Sequence, residues 1–341
     1  MRTLVRYCLV GFAVLGLGCG SEVSNPDFAD GGPDGSVTPD ASWTDAAVLV
    51  DPAGSNHLYV VNAVDVPTSA AEASQLGLDI DFDGTNTVDN KLGEILATLA
   101  AQGGGQDPQS FIDARIADGT ILQLINIKAT SLTDAERVGF SLYVGQDGDM
   151  PANPDDNFSG FEEFLIATDS PTDSLLAGNI TSGHMSGADG SIPLLVSVSD
   201  QVAPVLLNLV GARVECDADG TGVMNGHLAG GITKEQVHDD ILPALHESFG
   251  ITVAADCTGT TCTPGSAGES LLNLFDENGD GDITLTELEN SLILTNLLAP
   301  DMDLLDAEGF YNPNQDGELD TLSFGVGFTA VGAQFIPPPL P

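Results

Sequence analysis

The side chains best suited to chemistry are concentrated in one acidic segment, 276–287, here called the C-terminal loop. Oxygen-bearing residues recur at its alternate positions and at its end: Asp276, Asn278, Asp280, Asp282, Thr284 and Glu287. A hard cation such as Ca²⁺ takes roughly six to eight oxygen ligands, and a loop of this length can supply most of them. Asp282 would offer its main-chain carbonyl, Thr284 would bind directly or through water, and Gly281 would permit a sharp turn. The spacing therefore predicts a calcium site.

Apolar residues at helical spacing flank this loop on both sides. They predict an entering helix at 270–275 and an exit helix at 288–298, which Pro300 would end. With these flanks the segment resembles an EF-hand, and every ligand position matches the pattern of that family. The resemblance implies a C-terminal helix-loop-helix unit that binds calcium, with Glu287 as the bidentate closing ligand. The alternative is a decayed loop that no longer binds.

EF-hands usually occur in pairs, and a second acidic segment follows at the spacing typical of such a pair. It matches the pattern at Asn312, Asn314 and Asp316, and it is here called the second loop. Its closing position holds Ser323 where the family has glutamate, and a strand pattern follows. We therefore expect a degenerate second loop, for which calcium binding and a simple Asx-rich turn are both open.

A third acidic segment, 79–90, repeats the alternation and is here called the N-terminal loop. Asp79, Asp81 and Asp83 precede a glycine, Asp89 stands near the closing position, and a helix is predicted at 90–101. The sequence shows no clear entering helix, so this segment resembles the EF-like loops of extracellular bacterial proteins. Calcium binding is favoured over a solvated turn.

The charge of the chain limits its partners. The sequence has 8 lysine and arginine residues against 51 aspartate and glutamate residues, a formal net charge of −43. Nucleic acids and anionic lipid surfaces require clustered positive charge, so neither is expected as a partner. A hydrophobic fraction of 42% is too high for a disordered polyanion. Because each bound Ca²⁺ would remove two negative charges from a self-repelling chain, calcium is expected to be structural.

The first residues have the pattern of an export signal. Arg2 and Arg6 precede a short apolar run that ends at Gly18-Cys19, which resembles a bacterial lipoprotein signal. The resemblance implies cleavage after residue 18 and lipidation of Cys19, hence an exported protein anchored at the outer membrane or cell surface. The alternative is a conventional signal peptide, which would give a secreted or periplasmic protein. This N-terminus, the acidic tether and the low lysine content resemble surface lipoproteins of social or predatory, myxobacteria-like Gram-negative bacteria.

Three cysteines remain after such processing. Cys257 and Cys262 flank a short Thr/Gly segment, which in an exported chain favours a local disulfide. Cys216 is then unpaired, or it takes one of the two and leaves the other free. Zinc is a weaker alternative, since three cysteines without nearby histidine do not make a site.

The predicted fold is α+β and mostly β, an antiparallel β-sandwich or open barrel with the C-terminal EF-hand attached. Short β-branched runs between Gly and Asp turns predict strands at 57–66, 121–130, 138–145, 161–168, 192–199, 205–216 and 322–336. A fourth helix is predicted at 233–249, with a capping box at Thr233 and a kink at Pro243. The expected parts are a signal peptide (1–18), a flexible tether (19–55), a β-rich domain with the EF-like loop (56–265), an EF-hand region with the degenerate loop (266–323), and a C-terminal strand and Pro-rich tail (324–341).

Motifs that would identify an enzyme are absent from the sequence. It has no His-Glu-x-x-His pair, no Gly-x-Ser-x-Gly elbow and no Walker-type loop. The chain is therefore expected to be a calcium-stabilised binding or structural module and not an enzyme. One alternative is a calcium-dependent secreted hydrolase of glycans or peptides with an acidic cleft. Another is an adhesive or carbohydrate-binding module, which the lone Trp43 in the tether disfavours. The sequence does not identify the protein or glycan ligand.

Overall fold

The computed structural model of the chain describes residues 51–82, 88–101, 108–315 and 317–336, without the side chains of 98–101. Cys19, Asp83 and Asp316 lie outside the described residues, as do the predicted signal peptide and most of the predicted tether. The described strands are β1 (Ser55–Asp65), β2 (Gln123–Ala129), β3 (Ala135–Asp147), β4 (Glu163–Ile166), β5 (Leu176–Thr181), β6 (His184–Val196), β7 (Val205–Ala218), β8 (Gly222–Thr233), β9 (Cys257–Thr258), β10 (Thr261–Cys262), β11 (Thr321–Gly332) and β12 (Gln334–Phe335).

Eight of these strands form a closed antiparallel barrel in the order β1-β2-β3-β5-β6-β7-β8-β11, with β11 returning to β1. The α+β, mostly β and antiparallel prediction is confirmed. The predicted sandwich or open barrel is wrong, because β3 pairs with β5 and closes the sheet. Strand β3 can do this because it is long. It pairs with β5 over Ala135–Phe140 and with β4 over Gly145–Asp147, while its other edge pairs with β2.

Side chains fill the interior of the barrel. Ile125, Phe140, Leu142 and Phe328 are among the buried residues that line its centre. The cavity that they enclose measures about 10 Å³, far below the size of a small-molecule site. The interior of the barrel is therefore a hydrophobic core.

Strand β2 is buried on both faces, which explains its nearly continuous apolar sequence. Ile125 and Ile127 face the barrel core, whereas Leu124 belongs to a second cluster with Phe164 of β4 and Phe335 of β12. β4 and β12 pair in parallel and continue the sheet from β3, so they cover this side of β2.

The described helices are α1 (Ala70–Leu76), α2 (Lys91–Ala101), α3 (Pro108–Ala117), α4 (Lys234–Gln236), α5 (Leu242–Asp256), α6 (Ala267–Phe275), α7 (Leu285–Asn290) and α8 (Leu292–Leu297). The last four lie between β8 and β11 and enclose a separate apolar core that includes Leu272, Ile283 and Leu288. In this core the rings of Phe249 and Phe275 stack with centroids 5.3 Å apart. Among the described residues, no helix is long and apolar enough to cross a membrane.

The helix predicted at 233–249 begins where expected. The Thr233 hydroxyl accepts a hydrogen bond from the Gln236 N–H at 3.3 Å. A π-helical turn at Val237–Ile241 separates α4 from α5 and ends just before Pro243. A proline ring clashes with the carbonyl four residues earlier, so a wide turn at this point lets the helix continue.

The predicted exit helix at 288–298 is wrong as a single helix. Ser291 is extended, with φ −63° and ψ 117°, and it separates α7 from α8. Its hydroxyl caps α8 by accepting from the Leu294 N–H. Serine in a helix interior competes with the helical ladder in this way, and the break bends the chain back toward β11.

Candidate metal centre

The C-terminal loop connects α6 to α7 and is wound by its own side chains. The Asp276 carboxylate accepts a hydrogen bond from the Gly281 N–H at 2.8 Å. Asn278 Oδ1 accepts from the Asp280 N–H at 2.9 Å, and Asp280 Oδ1 accepts from the Asp282 N–H at 3.0 Å. Each alternate side chain thus bonds to the main chain a few residues ahead, which is the local reason that this spacing forms a tight coil.

Glu287 closes the loop from the first turn of α7. Its Oε1 accepts from the N–H groups of Glu277 and Asn278 at 3.1 and 3.2 Å, and its Oε2 accepts from the Thr284 N–H and hydroxyl at 2.9 Å each. Hydrogen bonds from Thr284, followed by those from Asn278 and Glu277, lower the pKa of Glu287. The side chain therefore reaches both ends of the loop, as the sequence pattern requires of a closing ligand.

A disulfide-linked hairpin contacts this loop. The predicted Cys257–Cys262 bond is present and joins β9 to β10. At the tip of the hairpin, Gly259 lies so close to Gly281 that a Cβ built on Gly281 would be 2.6 Å from the Gly259 carbonyl carbon. The tip therefore holds the turn of the loop from outside.

Cys216 carries a free thiol. It lies in β7 with no exposed surface, among the core residues of the barrel. Burial, aided by the nearby Asp217 charge, raises the pKa of this thiol to about 12. Cys216 is therefore a small apolar core residue and not a metal ligand.

Replacing Gly281 by alanine is expected to lower the free energy of unfolding by about 2–3 kcal/mol, against about 1 kcal/mol for Gly279→Ala. Both glycines have positive φ, 87° and 73°, so both variants carry backbone strain. Only Gly281 also meets the hairpin, since a Cβ on Gly279 has nothing within 4 Å. Urea denaturation of the two variants measures the difference. Equal losses would contradict the contact between hairpin and loop.

Three carboxylates of the N-terminal loop converge. One oxygen each from Asp79, Asp81 and Asp89, here called the triad, lie within 4.8 Å of one another. The chain enters after α1 and leaves into α2, and an isolated bridge between Leu78 and Asp89 brings the two ends together. The Asp89 side chain also accepts from the Ile80 N–H at 2.8 Å. The structure thus assembles three of the four acids predicted for this loop.

The triad is electrostatically unfavourable without a counterion. Burial raises the pKa of Asp89 to about 6, and the charges of Asp81 and Asp79 add to this effect. Carboxylates at this separation repel each other unless a proton or a cation is shared between them. The arrangement therefore favours a positively charged ligand.

The raised pKa of Asp89 predicts a pH-dependent stability in the presence of chelator. The folded state binds the Asp89 proton more tightly than the unfolded state does. The stabilisation that this proton contributes is therefore complete below about pH 4 and is lost as the pH rises through about 6. After allowance for solvent screening of a half-buried group, the loss is about 1–2 kcal/mol. In Asp89→Asn this loss should vanish, so the unfolding free energy of the variant relative to that of the wild type should rise by about 1–2 kcal/mol from pH 4 to pH 7. A constant difference would contradict the shift.

Side chains from distant segments hold the triad in place. A guanidinium N–H of Arg213, on β7, donates to the main-chain oxygen of Asp79, and the guanidinium lies 4.3 Å from the centroid of the Phe82 ring. The Asn314 side-chain amide donates to the main-chain oxygen of Asp81. The N-terminal loop and the second loop, far apart in the sequence, therefore meet in the fold.

The second loop packs on residues that precede it. The Asn312 N–H donates to the Leu304 carbonyl at 2.8 Å, and the Asn314 N–H donates to the Asp303 carbonyl at 2.9 Å. Asp303 is buried, and its Oδ2 accepts from the Gly317 N–H at 2.6 Å. Sequence reasoning missed both Asp303 and Arg213, and no local pattern points to either of them.

Ser323, at the closing position of the second loop, is fully buried in β11. Its hydroxyl donates to Asp301 Oδ2 at 2.6 Å and accepts from the Lys91 N–H at 2.7 Å. A strand follows the second loop, as predicted. Ser323 therefore joins β11 to α2 and has a structural role in place of the missing glutamate.

The donors gathered in these loops are carboxylate, amide and main-chain oxygens, the ligand set that hard cations prefer. In comparisons with protein-family models, curated proteins and solved structures, none matches the chain. The chemistry of the site must therefore be argued from its own residues.

Proposed function

We propose that this protein binds structural Ca²⁺ through the triad and the C-terminal loop. The observation that carries the proposal is the convergence of the Asp79, Asp81 and Asp89 oxygens within 4.8 Å. Three acids at this distance are destabilising alone and favourable around a divalent ion, since the ion replaces mutual repulsion by attraction. Calcium suits them better than magnesium because it accepts irregular oxygen geometry.

The C-terminal loop is proposed as an EF-hand. Support comes from the match at every ligand position and from the side chain of Glu287, which bonds near both ends of the loop. Ile283 anchors the loop in the helical core, where it is 1% exposed. In the calcium-bound state the carboxylates of Asp276, Asp280 and Glu287 would exchange their main-chain hydrogen bonds for the ion.

The role that follows is mechanical. Each loop connects two helices, α1 to α2 in one case and α6 to α7 in the other. A bound ion would fix these connections and lower the repulsion within a strongly acidic chain. The protein is accordingly proposed as a calcium-stabilised binding or structural module whose ligand surface is carried by the barrel and its attached helices.

Export and lipid anchoring belong to the same proposal and depend on the pattern of residues 1–19. Processing would remove residues 1–18 and acylate Cys19, placing the protein at the outer membrane or cell surface. Intact-mass measurement of the chain recovered from cells tests this, since acylation at Cys19 adds a fatty-acyl mass that a Cys19→Ser variant cannot carry.

Calcium titration of the full chain by calorimetry tests the calcium proposal. Asp81→Asn and Glu287→Ala should each lose one bound calcium, and the double variant should lose both. Asp173→Asn, which changes an exposed carboxylate between β4 and β5, is the matched control and should bind as wild type does. Absence of binding to the wild-type chain would overturn the proposal. If Glu287→Ala binds as many calcium ions as wild type does, the C-terminal loop is decayed and does not contribute to binding.

A further inference from the structure

Asp303 presents a buried carboxylate that the rest of the fold does not explain. Its side chain is 5% exposed, between Met302 and Leu304, which are buried in a small apolar cluster with Ile80 and Ala229. Charged side chains are rarely buried to this degree unless they are paired or bind a metal, because removing a charge from water costs on the order of several kcal/mol.

Only one oxygen of this carboxylate is satisfied. Oδ2 accepts from the Gly317 N–H at 2.6 Å, so the carboxylate points into the second loop. Oδ1 is fully buried and has no hydrogen-bond partner among the described residues. A buried oxygen left in this way lacks a ligand that would compensate its desolvation.

Two asparagines of the second loop are bonded to the main chain at Asp303. Asn312 and Asn314 are exposed to solvent, and their N–H groups donate to the carbonyls of Leu304 and of Asp303 itself. The same Asn314 amide reaches the main chain of Asp81, so this position adjoins the triad without using its carboxylates.

We propose that Asp303, Asn312 and Asn314 form a further calcium site, separate from the triad and from the C-terminal loop. Asp303 supplies the negative charge that Ser323 cannot supply at the closing position, and the amide oxygens of Asn312 and Asn314 are available from the solvent side. The ligand comes from a segment before the loop, unlike the closing ligand that the EF-hand pattern places after it. This inference rests on the proposed calcium function.

The test is calcium stoichiometry and thermal stability of the full chain carrying Asp303→Asn. The asparagine keeps an oxygen acceptor for the Gly317 N–H and removes the charge. We expect one bound calcium fewer than in wild type and a smaller calcium-dependent rise in melting temperature.

Asp320→Asn is the matched control from the same region. Both of its oxygens are used by main-chain donors, the N–H groups of Leu304 and Leu305 at 3.1 and 3.0 Å. Asp320→Asn should therefore lower the melting temperature equally with calcium and with chelator, and it should leave the stoichiometry unchanged.

Should Asp303→Asn fail to fold, Asn312→Ala decides the question, because this exposed side chain can be removed without opening the core. It should weaken one calcium site about tenfold and leave the melting temperature in chelator unchanged. If Asp303→Asn folds and binds calcium as wild type does, or if it does not fold and Asn312→Ala binds calcium as wild type does, the Asp303 site is refuted. The calcium function itself is judged separately by Asp81→Asn and Glu287→Ala, so the two failures are distinguishable.

Discussion

Asn90→Ala is expected to lower the free energy of unfolding by about 3–5 kcal/mol. The Asn90 amide is 5% exposed and uses both of its ends. Its Nδ2 donates to the carbonyls of Ala73 and Gly325 at 3.1 and 3.0 Å, and its Oδ1 accepts from the N–H groups of Gly93 and Gly325 at 3.1 and 2.9 Å. Alanine would remove this partner from the Gly93 N–H and from both main-chain groups of Gly325, whereas the Ala73 carbonyl would keep its hydrogen bond from the Gly77 N–H.

The size of this effect follows from where the Asn90 side chain contacts the barrel, at Gly325 of β11. β1 pairs with β11 only between Gly327 and Gly332, so Gly325 is beyond the end of the β1 ladder. The Asn90 amide takes the place of the missing strand there, and it ties α1, α2 and β11 together. It also directly follows Asp89, so the same hydrogen bonds fix one member of the triad.

Urea denaturation of Asn90→Ala and Asn290→Ala measures this prediction. Asn290 is exposed, and its side chain makes one recorded hydrogen bond, to the Thr286 carbonyl at 2.8 Å. Its loss should cost about 0.5 kcal/mol or less. Asn90→Asp should be at least as destabilising as Asn90→Ala, since a buried carboxylate oxygen would then face the carbonyl oxygens of Ala73 and Gly325 in place of the donating amide. Similar losses of unfolding free energy in Asn90→Ala and Asn290→Ala would show that the Asn90 amide does not stabilise the contact among α1, α2 and β11.

Features that depend on local sequence were predictable. The C-terminal loop, the Thr233 cap and the Cys257–Cys262 disulfide all depend on residues within about a dozen positions, where spacing determines geometry. Strands such as β2 and β7 were recognised because their apolar and β-branched runs report burial directly.

Strand β8, in which glycine recurs among the apolar residues, was not predicted. In the fold Gly226 faces the ring of Phe328 on β11, and a Cβ on this glycine would lie 2.6 Å from that ring. The glycine provides room for a large neighbour across the strands, a requirement that appears only once β8 and β11 are paired. The closure of the barrel was unpredictable for the same reason, since it depends on which edge of β3 meets β5.

The surroundings of the triad could not be predicted either. Asp79, Asp81 and Asp89 follow a local pattern, but Arg213 and Asn314 reach them from segments more than a hundred residues away. Chain topology brings these residues together, and no spacing within the sequence records it. Local chemistry was therefore accessible from the sequence, and the contacts that hold it in place were not.

Transfer of the protein from 10 mM Ca²⁺ into chelator is expected to lower its free energy of unfolding by about 3–5 kcal/mol. Extracellular calcium modules bind with dissociation constants on the order of 10⁻⁴ to 10⁻³ M. Mass action then gives about 1.4–2.7 kcal/mol for each occupied site, so the proposed sites at the triad and the C-terminal loop would together contribute about 3–5 kcal/mol. For a domain of this size the melting temperature should rise by about 5–10 °C.

Magnesium separates a specific site from general charge screening. Mg²⁺ requires near-octahedral geometry and gives up water reluctantly, so the same concentration should raise the melting temperature far less. If repulsion within the acidic chain were the main cause, both ions would stabilise it about equally, because both carry the same charge. The double variant Asp81→Asn with Glu287→Ala provides the second control. Its melting temperature should lose most of its dependence on calcium and keep only the part due to the proposed Asp303 site, since the two other proposed centres are then removed while most of the negative charge remains.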